Sequence, residues 1–241
     1  MGIFDGNGLR YISHRGFRPL APDNSLPGFV YAGILKQWAI ETDVHMTRDG
    51  QLVCCHNPSV DATYDATGLI SELSWPEISK MRMNTGSRVE CLGDEGKRMP
   101  LFSEYLAICR KYGSIPFVEL KTNDVEPVIQ AIRKAGFQDY EVVMSTSVLD
   151  RLIETRKLSE EMFVHWIFAR EEQLDALACL GNAGLSWNIP DAFACPASKI
   201  ELAHELGLKV CLRAGDSVET VNHMLALGLD YLPTNCMHES L

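Results

Sequence analysis

Short runs of apolar and β-branched residues alternate along this chain with longer stretches in which apolar side chains recur every three or four positions. The first pattern predicts buried strands and the second amphipathic helices. Strands are expected near residues 11–14, 39–47, 115–121, 141–145, 163–169, 184–189, 209–213 and 230–233. Helices are expected over 26–36, 125–135, 148–157, 171–179, 197–205 and 218–227, with Gly136, Gly181, Gly207 and Gly228 as C-caps. Strand–helix alternation predicts a parallel sheet. Right-handed crossovers wind eight such strands one way, so the expected fold is an α/β, (β/α)8 TIM barrel occupying residues 1–241 as one domain.

One stretch breaks the rhythm. Residues 51–56 read as an extra strand folded back through the Asp49-Gly50 turn. Residues 58–100 then carry no clear strand, only a weak helical pattern over 75–83 with Pro76 suited to its first turn. An insertion of this length after the second strand is expected to form a small cap over the C-terminal mouth, where barrel active sites lie.

The totals narrow the function. A length of 241 residues with 46% hydrophobic and 22% charged residues suits a globular domain of barrel size. A formal charge of -10 argues against a nucleic-acid or anionic-membrane surface. No apolar run approaches the roughly 18 residues of a membrane span, and the first ten residues lack the pattern of a secretory signal. The eight cysteines, scattered except for Cys54-Cys55, form no zinc spacing and read as buried reduced thiols of a cytoplasmic protein. A homo-oligomer is compatible with these totals.

Chemistry gathers at the predicted strand ends. Glu41 and Asp43 lie two apart on one strand and project from the same face, and Glu119 ends the next barrel strand. Two close carboxylates repel unless a cation neutralises them. Three oxygen ligands suit Mg²⁺ or Ca²⁺; an ion pair with Arg48 is the alternative. His14 ends the first strand and His56 the extra one, so two imidazoles could flank a bound phosphodiester as general acid and base. Arg15 offers a fork for phosphate oxygens and Lys121 a point charge, unless they only balance the carboxylates. His45 shares the strand face of Glu41 and Asp43 but is expected at the rim.

In order, these islands are His14-Arg15-Gly16, Pro22-Asp23-Asn24-Ser25, Glu41-Thr42-Asp43-Val44-His45-Met46-Thr47-Arg48-Asp49-Gly50, His56-Asn57 and Glu119-Leu120-Lys121. The ordered set, extended by Ala203-His204-Glu205-Leu206-Gly207-Leu208 and Pro233-Thr234-Asn235, resembles the glycerophosphodiester phosphodiesterase family over nearly the whole chain. The resemblance implies metal ligation by Glu41, Asp43 and Glu119, acid–base work by His14 and His56, and phosphate binding by Arg15 and Lys121. It also implies the reaction: metal-dependent hydrolysis of a small-molecule glycerophosphodiester to sn-glycerol 3-phosphate and an alcohol. A phospholipase D-like lyase on another headgroup and a non-catalytic binding barrel remain the alternatives.

The chain departs from the family pattern at three places. Asp23 replaces the usual Glu. Asn57 replaces an Asp, removing a charge that would raise the His56 pKa. Arg213, ending the seventh strand, replaces a Trp that lines the pocket. It is expected to face the 58–100 insertion and either bind an anionic substrate group or pair with Asp216 or another carboxylate.

Overall fold

The computed structural model describes residues 2–5 and 9–238. Eight parallel strands form the barrel: β1 (Tyr11–Ser13), β2 (Ala39–Met46), β4 (Ile115–Leu120), β5 (Val143–Thr146), β6 (Phe163–Trp166), β7 (Ala183–Ser186), β8 (Lys209–Cys211) and β9 (Leu232–Thr234). The extra strand β3 (Leu52–Cys54) pairs antiparallel with β2, placing Val44 opposite Cys54. The helices are α1 (Leu26–Ile34), α2 (Trp75–Ile78), α3 (Phe102–Tyr112), α4 (Val125–Lys134), α5 (Leu149–Leu158), α6 (Leu174–Ala178), α7 (Ala197–Glu205) and α8 (Val218–Ala226).

The strands run in the order β8-β7-β6-β5-β4-β2-β1-β9. The barrel is nearly closed. No strand ladder joins β8 to β9; instead the Asp230 amide donates to the Val210 carbonyl and the Gly215 amide to the Pro233 carbonyl, each at 2.9 Å. The Asp230 carboxylate reinforces the lower end of this seam, accepting from the Val210 amide at 2.8 Å and from Lys209 Nζ at 2.7 Å.

Alternation along the strands sorts the core into layers. Ile12, Ala39, Phe117, Val143, Phe163, Cys211 and Tyr231 fill the barrel floor. Residues of opposite parity, such as Ile40, Val44, Val118, Leu120 and Met144, pack outward against the helices. In α4 the buried residues are Val125, Val128, Ile129 and Ile132, one stripe at the 3.6-residue period.

Most expected strands end a few residues early, as β6 does at Trp166 instead of 169, and two helices depart further from the expectation. The helix expected over 75–83 is cut to α2: Ser74 and Glu77 cap its start, but the chain is drawn out of the helix further on, where the Arg82 amide donates to Asp65 Oδ1 at 2.8 Å and Met83 bridges to Tyr64. The helix α3 was not expected; it buries Phe102, Tyr105, Leu106 and Cys109. Apart from α2, residues 58–100 carry only short 3₁₀ turns at Ile70–Glu72, Val89–Cys91 and Asp94–Lys97, but they have a core of their own, with Val60, Tyr64, Ile70, Ile78, Met83 and Met99 packed on Val53 and Cys55 of the β3 arm. Among the described residues, no helix is long and apolar enough to cross a membrane.

Candidate active site

The layer above the apolar floor is polar, and β2 and β4 supply its centre. Their register sets Asp43 beside Glu119, with Glu41 one inward position lower on β2. Glu41 and Asp43 are 5% and 0% exposed, which makes their charges costly without a counter-charge. One oxygen from each of Glu41, Asp43 and Glu119 can be chosen so that all three lie within 4.8 Å of one another. Asp43 Oδ1 is buried without a hydrogen bond, although Lys121 Nζ stands 3.2 Å away. An all-oxygen set with a free buried lone pair fits a hard divalent cation.

Electrostatics follow from this crowding. Burial, with Asp43 and Glu119 alongside, pushes the Glu41 carboxyl well above the usual carboxylate range. Burial and Asp43 raise Glu119 as well, in spite of Lys121. Burial drives Asp43 the same way, but Lys121, Arg15 and His56 outweigh it and hold this carboxyl low. Lys121 is raised: burial opposes its charge, but Asp43 and Glu119 more than offset that. Its Nζ lies 2.5 Å from Glu119 Oε1.

The β1–α1 loop brings the second group. Arg15 and Asn24 adopt left-handed backbone with φ of 60° and 49°, conformations that cost about 1–3 kcal/mol and recur at functional sites. This twist turns the Arg15 amide toward Glu41 Oε2, 2.7 Å away. Gly16 follows with φ of 86°, and a Cβ there would lie 2.8 Å from the Gly28 carbonyl carbon, so only glycine lets the loop sit against α1. The Arg15 side chain stands 3.4 Å from both Asp43 and Asp23. Asn24 Nδ2 donates to Asp43 Oδ2 at 2.8 Å, while its Oδ1 accepts from the Thr42 hydroxyl at 2.7 Å.

The imidazoles flank this centre. Nδ1 of His14 lies 2.9 Å from Asn235 Oδ1, and Nδ1 of His56 lies 2.9 Å from Asn57 Oδ1. Burial lowers the pKa of both, with Arg15 adding to the effect in each case. His56 also faces a pocket of about 250 Å³, lined with Arg15, Arg18, Asp23, Asn57, Tyr64 and Thr85.

The structure thus gathers His14, Arg15, Glu41, Asp43, His56, Glu119 and Lys121 around one centre. Arg213 stands apart. It is exposed, its guanidinium carbon 5.8 Å from the Phe168 ring centroid. It lines a separate cavity of about 330 Å³ with Pro190, Asp191 and Asp216, and no residue of 58–100 lines that cavity. Arg213 makes no ion pair among the described residues, and Asp216 is engaged instead by Thr234 and Asn235. The expected contacts with the insertion and with Asp216 are therefore replaced by an aromatic one. The alternative partner for Glu41 and Asp43 also falls away, since Arg48 pairs with Glu77 at 3.1 Å. His45 is buried rather than at the rim, with Nε2 3.4 Å from the His56 carbonyl.

The family model described as the glycerophosphoryl diester phosphodiesterase family matches residues 14–236. The chain belongs to this family. Among curated relatives of this family member, a glycerophosphodiester phosphodiesterase of Caldanaerobacter subterraneus is 29% identical over 142 residues, 56% of each chain. The human glycerophosphodiester phosphodiesterase 1 is 27% identical over 139 residues, 57% of this chain and 41% of the human protein. The chain spans about half the length of these relatives. Among solved structures, an Oleispira antarctica phosphodiesterase in complex with the product sn-glycerol-3-phosphate superposes with a TM-score of 0.84 at 21% identity. That match covers 94% of this chain and 92% of the other. A Silicibacter pomeroyi structure gives a TM-score of 0.79 at 22% identity, over 97% and 92% of the two chains. These likenesses establish the barrel fold.

Sequence reasoning assigned no role to Asn24, Arg18 and Asn235 and named Asp216 only as a partner for Arg213, yet all four touch the site. Asp216 and Asn235 follow strands β8 and β9 at the mouth, a position that could have singled them out.

Proposed function

We propose that this chain hydrolyses a small glycerophosphodiester to sn-glycerol 3-phosphate and an alcohol. The observation that carries the reading is the convergence of Glu41, Asp43 and Glu119 within 4.8 Å, with two cationic side chains and two imidazoles around them. Glu41, Asp43 and Glu119 would hold one divalent cation, Mg²⁺ or Ca²⁺, which neutralises phosphate charge and lowers the pKa of a coordinated hydroxyl. Arg15 and Lys121 are held beside the carboxylates, where their donors can turn to the non-bridging phosphate oxygens. His14 and His56 exchange the two protons the reaction needs. One leaves the nucleophile, a substrate hydroxyl or water, as it bonds to phosphorus; the other reaches the alcohol oxygen as its bond to phosphorus breaks. We read residues 1–241 as one barrel unit with 58–100 as its cap, working in a reducing compartment such as the cytoplasm, where its eight free thiols stay reduced.

The test is release of a phosphomonoester from a panel of glycerophosphodiesters, with EDTA and then with Mg²⁺ or Ca²⁺ restored. Turnover should vanish with the chelator and return with the cation. Release of no phosphomonoester from any diester, in either cation, would reduce the chain to a binding barrel.

A further inference from the structure

We propose that Asp216 is a positioning residue which, through Asn235, holds His14 as the tautomer with its hydrogen on Nδ1, leaving Nε2 as a bare acceptor. This rests on the functional reading above and deepens it, because that reading leaves the roles of the two histidines unassigned.

The chain of contacts starts at the mouth between β8 and β9. Asp216 Oδ1 accepts from the Asn235 amide at 2.7 Å and from the Thr234 hydroxyl at 3.1 Å. Its Oδ2 lies 2.5 Å from Asn235 Nδ2. A carboxylate only accepts, so the Asn235 side chain must turn its NH₂ toward Asp216. Its oxygen then faces the other way, toward His14 Nδ1 at 2.9 Å and Arg18 Nη1 at 2.8 Å. Arginine only donates, which fixes the same orientation from a second side. Arg18 is itself anchored, with Nε 2.6 Å from Asp23 Oδ1.

An oxygen opposite Nδ1 leaves one arrangement for a hydrogen bond: Nδ1 carries the hydrogen. The His14 amide donates to the Thr234 carbonyl at 2.9 Å, so backbone and ring are both tied to the β9 end. In its neutral form His14 can therefore take a proton at Nε2 but has none to give there. It acts as a base until it has been charged. His56 is different. Its Nδ1 faces Asn57, whose side chain makes no second hydrogen bond among the described residues, so either end of that amide can face the ring.

Long-range ¹H–¹⁵N spectra of the full chain, with the His14 ring identified by its loss in His14→Gln, read the tautomer directly. The wild type should show a pyrrole-type Nδ1 and a pyridine-type Nε2. In Asp216→Asn the Asn235 amide is released on one side. The two ring nitrogens should move toward each other, and kcat should fall about tenfold with KM nearly constant, the low end of what losing an orienting partner costs. The double exchange Asp216→Asn with Asn235→Asp puts a carboxylate oxygen back against Nδ1 and should restore the pyrrole-type signal. A pyrrole-type Nε2 in the wild type overturns the proposal, even if the variants do not fold. Unchanged ring shifts in a folded Asp216→Asn overturn the part given to Asp216. A wild type with the expected tautomer that releases no phosphomonoester sinks the functional reading and leaves the assignment standing.

Discussion

The β2–β4 wall of the barrel mouth and the β8–β9 wall are built in opposite ways. The first is a continuous ladder, from Ala39 beside Ile115 to Val44 beside Leu120. Glu41 and Asp43 are buried and Glu119 half-buried on it, held so close that they repel one another, with Lys121 offsetting part of that repulsion. The second wall has no ladder. Its two strands are three residues long, and carboxylate side chains clasp the seam, Asp230 below and Asp216 above. The lesson is a division of labour. A rigid sheet can hold like charges at close range, whereas an open seam must fix its polar groups one hydrogen bond at a time.

The sharpest way to break the comparison is to remove the imidazole on each side. His14 belongs to the seam and His56 to the β3 arm beside the ladder. His14→Ala and His56→Ala should each lower kcat by about 10²–10⁴-fold with the fold intact by circular dichroism. A variant with near wild-type kcat on the best substrate would remove that histidine from proton transfer.

A smaller effect is expected at Arg213, an exposed charge of the seam wall. Arg213→Trp should shift preference from glycerophosphoserine toward glycerophosphocholine, because the guanidinium favours an anionic leaving group and the indole a cationic one. Solvent screening keeps the expected change in the kcat/KM ratio to about tenfold or less. Identical substrate ranking would make Arg213 a partner of Phe168 and nothing more.

Asn57→Asp tests whether the side chain beside His56 tunes it. An added carboxylate favours the imidazolium, so the variant's His56 pKa should rise. With His14 as the base, His56 is the proton donor, so the alkaline limb of the variant's kcat/KM profile should lie at higher pH than that of the wild type. The reverse order would refute the electrostatic reading.

The smallest effect concerns the strain of the ladder wall. A carboxyl whose pKa is raised by folding contributes stability below its unfolded value and loses it as pH rises through the folded value. For Glu41 that window opens at the ordinary value of 4.5 and extends upward. Without cation, Glu41→Gln should therefore melt above the wild type, by a few degrees per ~1 kcal/mol, with the gap widening as pH rises. Added Mg²⁺ or Ca²⁺ should raise the Tm of the wild type more than that of the variant. A gap that narrows with rising pH would mean that Glu41 is not held under repulsion.

Much of this was legible in the sequence, but unevenly between the two walls. Period-two alternation placed Glu41, Asp43 and Glu119 on one inward face, and the strand-end motifs brought His14, Arg15, His56 and Lys121 to them. The helix α3 escaped although Phe102, Tyr105, Leu106 and Cys109 form a proper stripe; it follows the insertion, so the strand–helix rhythm offered no cue. The irregular cap core could not be read from any period. Asn235 lies 221 positions from His14 and 19 from Asp216, and no local pattern announces such a pairing. For Arg213 the sequence told position but not neighbours, because Phe168 arrives from another loop.

The small core beneath residues 58–100 has an evolutionary consequence. Val60, Tyr64, Ile70 and Ile78 cohere with one another and with the β3 arm, so the cap can be traded for another without rebuilding the sheet. Exchanges at Tyr64 and Thr85, which line the pocket beside His56, can thereby change what the pocket admits without touching the carboxylates on β2 and β4.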